Sequence, residues 1–265
     1  MSATAPVARW SYATGSTRSA HAPAVILCHG LGSDRHEVGG LFTRLSLTLA
    51  DRGISTLAID LPGHGDHPLA QEQLTVESAV TEIVAAWEWL SSQPEVDASR
   101  AGLLGFSFGG LVAVSALEKI PQLKTLVLWA PAVGSRHECF ENQFSRGYPV
   151  ARQLGSVTLD LGWRSWTFGR AWFQSVASAR PLQILARFDG AALVVHGEQD
   201  TTVAVSASRR AVASASRARI SLQLMPEADH IFGALSGDSG VASQLIELTS
   251  DWLGAQLRES NEGER

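Results

Sequence analysis

Arg100–Leu117 reads R-A-G-L-L-G-F-S-F-G-G-L-V-A-V-S-A-L. The Leu-rich run Ala101 to Phe106 has the composition of a buried strand and the run from Phe108 onward that of a buried helix, so Ser107 falls on the turn between them. Gly105 and Gly109 frame it in a G-x-S-x-G pattern. A serine held in a strained strand-to-helix turn leaves no room for a Cβ on either flank, and the strain lifts its Oγ clear of the sheet. The N–H of Phe108 opens the new helix and points into the same space, where the helix dipole favours developing negative charge. A Gly-rich turn ahead of a packed helix would give the same five residues without any chemistry. The strand before this one and the helix after it argue against chance.

Outward from this turn the chain alternates strands and helices. Val7 to Tyr12 and Ala24 to Cys28 are short apolar stretches separated by a Gly/Ser/Thr-rich region and are expected to pair as a hairpin. A helix is expected from Val38 to Asp51, with Leu41, Leu45 and Leu49 at i+4 spacing and Gly53 as its left-handed cap. Ile54 to Ile59 is the next strand and ends in the loop D-L-P-G-H-G-D-H. Thr75 caps a helix whose apolar stripe is Val76, Val80, Ile83, Val84, Trp87 and Leu90, closed by Pro94. Further on, Leu123 to Ala130, Ala191 to His196 and Ile220 to Met225 read as strands, with helices at Val203 to Ala213 and Val241 to Leu257. This rhythm implies an α/β fold with a mostly parallel, doubly wound sheet.

Between Gly134 and Phe188 the rhythm breaks, over a length far beyond an ordinary connection. The segment reads as a cap, residues 134–188, inserted before the strand that carries Asp200 into a core formed by residues 1–133 and 189–265. It holds Trp163, Trp166, Phe168, Trp172 and Phe173. These aromatics either line a ligand pocket, with Trp163, Trp166 and Trp172 as substrate-binding residues, or form a small core of the insert itself.

Composition narrows the function classes. With 265 residues, 45% hydrophobic and 18% charged, the chain has material for a large core and is not a disordered protein. A formal net charge of -5 without a long basic run argues against a nucleic-acid partner. Cys28 lies in an apolar run and Cys139 in a polar segment, which is neither a disulfide framework nor a zinc pattern, and a reducing cytoplasm is expected. The start M-S-A-T-A-P-V-A-R-W lacks the basic and apolar regions of a signal peptide, and no apolar run approaches the roughly 18 residues of a membrane span.

Functional groups in an open parallel sheet gather at the carboxyl ends of its strands. His29-Gly30-Leu31-Gly32 follows one strand and Ser107 another; H-G-E-Q-D, ending in Asp200, follows a third, and P-E-A-D-H, ending in His230, follows the last. A nucleophile, an acid and a base thus stand at three strand ends. Serine requires a base to take its proton as it attacks, and His230 fits that role. A buried carboxylate fixes the tautomer of such an imidazole and compensates its charge, and Asp200 fits this role, with Glu198, Asp189 and Asp229 as rivals and helix capping as a second use of Asp200. The backbone N–H groups of Leu31 and Phe108 are placed to form an oxyanion hole. His29 is expected to order the oxyanion loop and His196 to end its strand. His64, Asp66 and His67 lie in a Pro/Gly loop without a further ligand at recognised spacing, so they read as a loop-bracing network and no metal is assigned. G-L-G-S-D lacks the third glycine and the P-loop lysine, so no nucleotide cofactor is implied.

From Val7 to Leu257 the chain resembles the α/β-hydrolase superfamily. Within it, H-G-L-G-S-D-R-H-E, D-L-P-G-H-G-D, G-F-S-F-G-G, H-G-E-Q-D-T-T-V and E-A-D-H-I-F look like those of bacterial cinnamoyl/feruloyl esterases and monoglyceride-lipase-like hydrolases. The resemblance implies the triad Ser107, Asp200 and His230, the oxyanion donors Leu31 and Phe108, and hydrolysis of a small-molecule carboxylic ester through an acyl-enzyme. It departs from that group where Leu31 replaces an aromatic after H-G and Phe108 replaces a glutamine after the serine. A thioesterase, peptidase or acyltransferase would use the same triad, and a non-catalytic binding protein could share the fold.

Overall fold

A computed structural model describes residues 7–11, 21–237 and 240–258. Its strands are β1 (Ala8–Ser11), β2 (Ala22–Cys28), β3 (Ser55–Ile59), β4 (Val96–Phe106), β5 (Thr125–Trp129), β6 (Ser156–Asp160), β7 (Ser165–Gly169), β8 (Ala191–Gly197) and β9 (Arg219–Met225). Seven of them form one sheet in the order β1-β3-β2-β4-β5-β8-β9, parallel except where β1 joins β3. The helices are α1 (Leu41–Asp51), α2 (Val76–Ser91), α3 (Phe108–Ala116), α4 (Arg136–Cys139), α5 (Tyr148–Leu154), α6 (Arg170–Ser178), α7 (Pro181–Leu185), α8 (Val205–Ser214) and α9 (Gly240–Arg258).

The central strands are apolar throughout because both of their faces are covered. Alternate residues serve opposite sides: Ile26, Leu103, Leu126 and Val194 pack with α2, α3 and α8, whereas Leu27, Leu104, Val127 and Val195 pack with α1 and α9. Thr75 caps α2, its hydroxyl accepting from the Ser78 N–H at 2.9 Å. Both cysteines are free and buried; Cys139 sits on α4 despite its polar sequence surroundings.

Two local expectations are corrected. β1 does not pair with β2; it runs antiparallel to β3, with Ala8 opposite Ile59, because β3 and β4 occupy both edges of β2. Tyr12, the expected end of that strand, lies outside the described residues. The helix expected from Val38 starts at Leu41, after a 3-10 turn in which Gly39 and Gly40 take left-handed backbone conformations. At Gly39 the approach is close: a Cβ there would lie 2.3 Å from the Ala234 carbonyl oxygen. Past the end of α1, Gly53 has the expected positive φ.

The connection between β5 and β8 holds α4 to α7 and the β6–β7 hairpin. Its aromatics divide sharply. Trp172 is 1% exposed and packs against Phe108, Phe140, Phe144, Phe168 and Phe173, with ring centroids 4.6–6.2 Å away. Trp166 is equally buried and stacks on His64 at 4.1 Å. The substrate-facing reading of these two is therefore corrected: their surfaces are taken up by protein. Trp163, by contrast, is 60% exposed. Trp172→Ala is expected to cost about 3–5 kcal/mol, the usual penalty for emptying a buried aromatic site, while Trp163→Ala changes stability little. Equilibrium urea unfolding of both variants checks this.

Candidate active site

Ser107 stands between β4 and α3 with φ 54° and ψ -117°, a strained conformation for a residue with a Cβ. Its surroundings hold it there. The Ser107 N–H donates to the Trp129 carbonyl at 2.9 Å, and its own carbonyl accepts from Gly110 and Ala132 at 2.9 and 3.0 Å. The flanking glycines are required by contact: a Cβ on Gly105 would lie 2.4 Å from the Gly109 carbonyl oxygen, and one on Gly109 would lie 2.2 Å from that of Cys28. Any larger residue would push α3 off the sheet.

Three strand ends bring their side chains together at this point. The Ser107 hydroxyl donates to His230 Nε2 at 3.0 Å, and His230 Nδ1–H donates to Asp200 Oδ2 at 2.7 Å. The Phe106 ring lies 5.3 Å from that of His230. Asp200 is held on both oxygens: Oδ1 accepts from the backbone N–H groups of Thr202 and Val203 at 2.8 Å each, and Oδ2 faces His196 Nε2 at 3.0 Å as well as His230. Burial raises the Asp200 carboxyl pKa, but the hydrogen bonds from His196 and His230, the charge of His230 and the Val203 N–H outweigh it, leaving the group well below the usual carboxylate range. The rival carboxylates are elsewhere. Asp189 pairs with Lys124 at 2.5 Å, Asp229 accepts from the Gly233 N–H at 2.8 Å, and Glu198 is exposed.

The loop after β2 lies against Ser107; a Cβ on Gly30 would sit 3.5 Å from that of Ser107. The Gly30 N–H donates to Glu37 Oε2 at 2.7 Å and the Gly32 N–H to His64 Nε2 at 3.0 Å. The N–H of Leu31, between them, has no hydrogen-bond partner among the described residues, and neither has that of Phe108 at the first turn of α3. Two histidines brace the loop. His29 Nδ1–H donates to the Gly30 carbonyl at 2.7 Å while Nε2 accepts from the Leu61 N–H at 3.0 Å. His64 Nδ1–H donates to the Pro62 carbonyl at 2.9 Å, and burial, then the adjacent His29, push its pKa well below the ordinary histidine value, keeping Nε2 a bare acceptor for Gly32. From the other side, the Arg164 guanidinium donates to the Gly32 carbonyl at 2.7 Å and lies over the Trp166 ring. Asp66 pairs with Arg35, which also reaches the buried Asp60, and His67 lies 3.4 Å from Glu82.

A cavity of about 470 Å³ opens beside Asp200, bounded by Leu159, Leu161, Trp163 and Arg146. The arrangement can take a proton from Ser107 onto a fixed imidazole and offer two backbone N–H groups to an oxygen that gains charge.

The sequence does not announce the roles of Glu37 and His196, whereas His64 takes the loop-bracing role expected of it, with Gly32 as the partner. Glu37 accepts from the N–H groups of Gly30, seven residues back, and of the adjacent Val38, and His64 from that of Gly32, 32 residues away. His196 carried one usable signal, a polar ring at the end of the apolar run A-A-L-V-V four residues before Asp200.

The sequence model of the alpha/beta hydrolase family matches residues 25–243. A pimeloyl-[acyl-carrier protein] methyl ester esterase of Neisseria meningitidis is 36% identical over 107 residues, covering 40% of this chain and 36% of that protein. An uncharacterized protein of Mycobacterium tuberculosis is 33% identical over 115 residues, covering 43% and 38%. The matched stretch thus spans well under half the length of these relatives. Among solved structures, Est1E from Butyrivibrio proteoclasticus with bound ferulic acid superposes with TM-score 0.74 at 20% identity over 94% of both chains. A monoacylglycerol lipase of Paleococcus ferrophilus gives 0.73 at 20% identity over 96% of this chain and all of its own. These structures share the fold.

Proposed function

The chain belongs to the alpha/beta hydrolase family, and from that membership we propose that it is a serine hydrolase that cleaves carboxylic esters through an acyl-enzyme. The observation that carries the reading is the unbroken series Ser107 Oγ, His230, Asp200, at 3.0 and 2.7 Å. His230 takes the Ser107 proton as Oγ attacks the ester carbonyl and returns it to the departing alcohol; water, deprotonated by the same imidazole, then releases the acid. The N–H groups of Leu31 and Phe108 receive the oxyanion. The esterase names among the curated relatives and the likeness in fold to an esterase and a lipase support the same bond class.

The test is burst kinetics on a panel of p-nitrophenyl esters beside matched thioesters and anilides. A burst of p-nitrophenol equal to the enzyme concentration, with esters turned over fastest, is the expected result. Faster cleavage of the thioester or anilide would move the activity to another acyl-transfer class, and the absence of turnover on all three would favour a binding protein.

Residues 134–188 serve in this reading as a cap that sets substrate choice without supplying a catalytic group. Trp163, exposed at the rim of the cavity beside Asp200, is its substrate-facing aromatic. Trp163→Ala is expected to lower kcat/KM on aromatic acyl esters about tenfold, as for a lost stacking partner, and to leave p-nitrophenyl acetate within about twofold. A uniform loss across both substrates would remove Trp163 from the pocket.

A further inference from the structure

We propose that His196 is a positioning residue for Asp200, pinning the oxygen that receives His230. The inference rests on the reading of Ser107, His230 and Asp200 as a catalytic set and adds a fourth side chain behind it.

His196 is 0% exposed at the carboxyl end of β8, where its neighbours Val194 and Val195 are apolar. A ring of this polarity is costly in such a place unless each nitrogen is satisfied. Nε2 faces two acceptors, Asp200 Oδ2 at 3.0 Å and the Val203 carbonyl at 3.1 Å, so Nε2 bears a proton. Nδ1 lies 2.6 Å from Ser208 Oγ on α8, whose hydroxyl donates to it in the neutral ring. Strand β8 and helix α8 therefore orient one imidazole whose free direction ends on the carboxylate. Among the described residues, the titratable groups that act on Asp200 are His230, His196 and the Cys139 thiol, which burial pushes up to about 12 and thus leaves neutral.

With two backbone donors on Oδ1 and two imidazoles on Oδ2, the carboxylate cannot rotate about its Cβ–Cγ bond without losing partners. His230 meets an oxygen of fixed position whose charge is shared with a second donor. Removing that donor should misplace the acid and, because the protonated form of His230 then has the carboxylate to itself, should make that form persist to higher pH.

The reaction of Ser107 with a fluorophosphonate reads this directly, without knowledge of the natural substrate: Oγ bonds to phosphorus, fluoride leaves, and His230 takes the serine proton. Its second-order rate is to be followed against pH for the wild type, His196→Phe, His196→Gln and Ser208→Ala, with folding checked by circular dichroism. For His196→Phe the plateau should fall about 10- to 100-fold, and the acidic limb should move upward by about half a unit to one unit. His196→Gln, which carries an N–H to the same place, should restore the limb toward the wild type. Ser208→Ala, a loss of one oxygen atom, should shift it part of the way. A folded His196→Phe protein with an unmoved limb overturns the proposal; should that variant not fold, an unmoved limb in Ser208→Ala overturns it equally. If the wild type is not labelled at Ser107, the underlying catalytic reading fails too, which separates the two failures.

Discussion

Ser107→Ala is expected to lower turnover on any ester that the wild type cleaves by about 10⁶-fold, the scale seen when a serine nucleophile is removed from a complete triad. The fold should persist, because the substitution removes one half-buried oxygen that, among the described residues, bonds to His230 alone. Alanine must still adopt the positive φ of this turn, but the surrounding backbone hydrogen bonds that impose it are untouched. His230→Ala should cost about as much, and the double variant little more, since members of such a unit do not contribute additively. Active-site titration with a fluorophosphonate excludes contaminating wild-type enzyme. Undiminished turnover in the pure alanine variant would sink the mechanism.

Asp200→Asn should lower turnover by about 10⁴-fold with little change in binding. The unequal surroundings of the two carboxylate oxygens explain why the amide would be so damaging. Oδ1 accepts from two backbone N–H groups, so the amide oxygen settles on that side. The NH₂ group then faces His230 Nδ1 and, as a donor, forces the imidazole proton onto Nε2, where it opposes the Ser107 hydroxyl. Glu198→Gln should be nearly silent, because that side chain points to solvent; a larger loss there than at Asp200 would reassign the acid. The acid dependence of stability supplies a second measurement. A carboxyl whose folded pKa is depressed stabilises the protein fully above the ordinary carboxylate range and loses that contribution as pH falls through the folded value, so the asparagine variant should lack this part of the acid unfolding.

What could be read from the chain alone was whatever is written locally. The strand-turn-helix at Ser107 is carried by adjacent residues, as are the Thr75 cap and the strand ends that present Asp200 and His230. Pairing partners are a different matter. β1 joins β3 because β2 has both edges filled, a fact about three strands that no window of sequence contains. The aromatic insert was ambiguous for a similar reason: Trp166 and Trp172 differ from Trp163 in what packs on them, and hydrophobicity is the same whether a ring faces a ligand or Phe168. Glu37 and His196 escaped because nothing in their neighbourhood says that one carboxylate takes the Gly30 N–H seven residues back and that one ring turns onto Asp200; His64 reads as a loop brace, but its partner Gly32, 32 residues away, is set by folding.

Gly32 is held from both sides, by His64 on its N–H and by Arg164 on its carbonyl, and Trp166 stacks on that same His64. If residues 134–188 act as the proposed cap, transplanting a different one to engineer new selectivity would remove Arg164 and Trp166 along with the old pocket wall. The graft would then leave the Gly32 peptide next to Leu31 held by His64 alone, and a chimera intended to change only selectivity is expected to lose rate on every substrate alike. Swaps confined to the rim around Trp163, with Arg164 and Trp166 kept in place, are expected to separate the two properties.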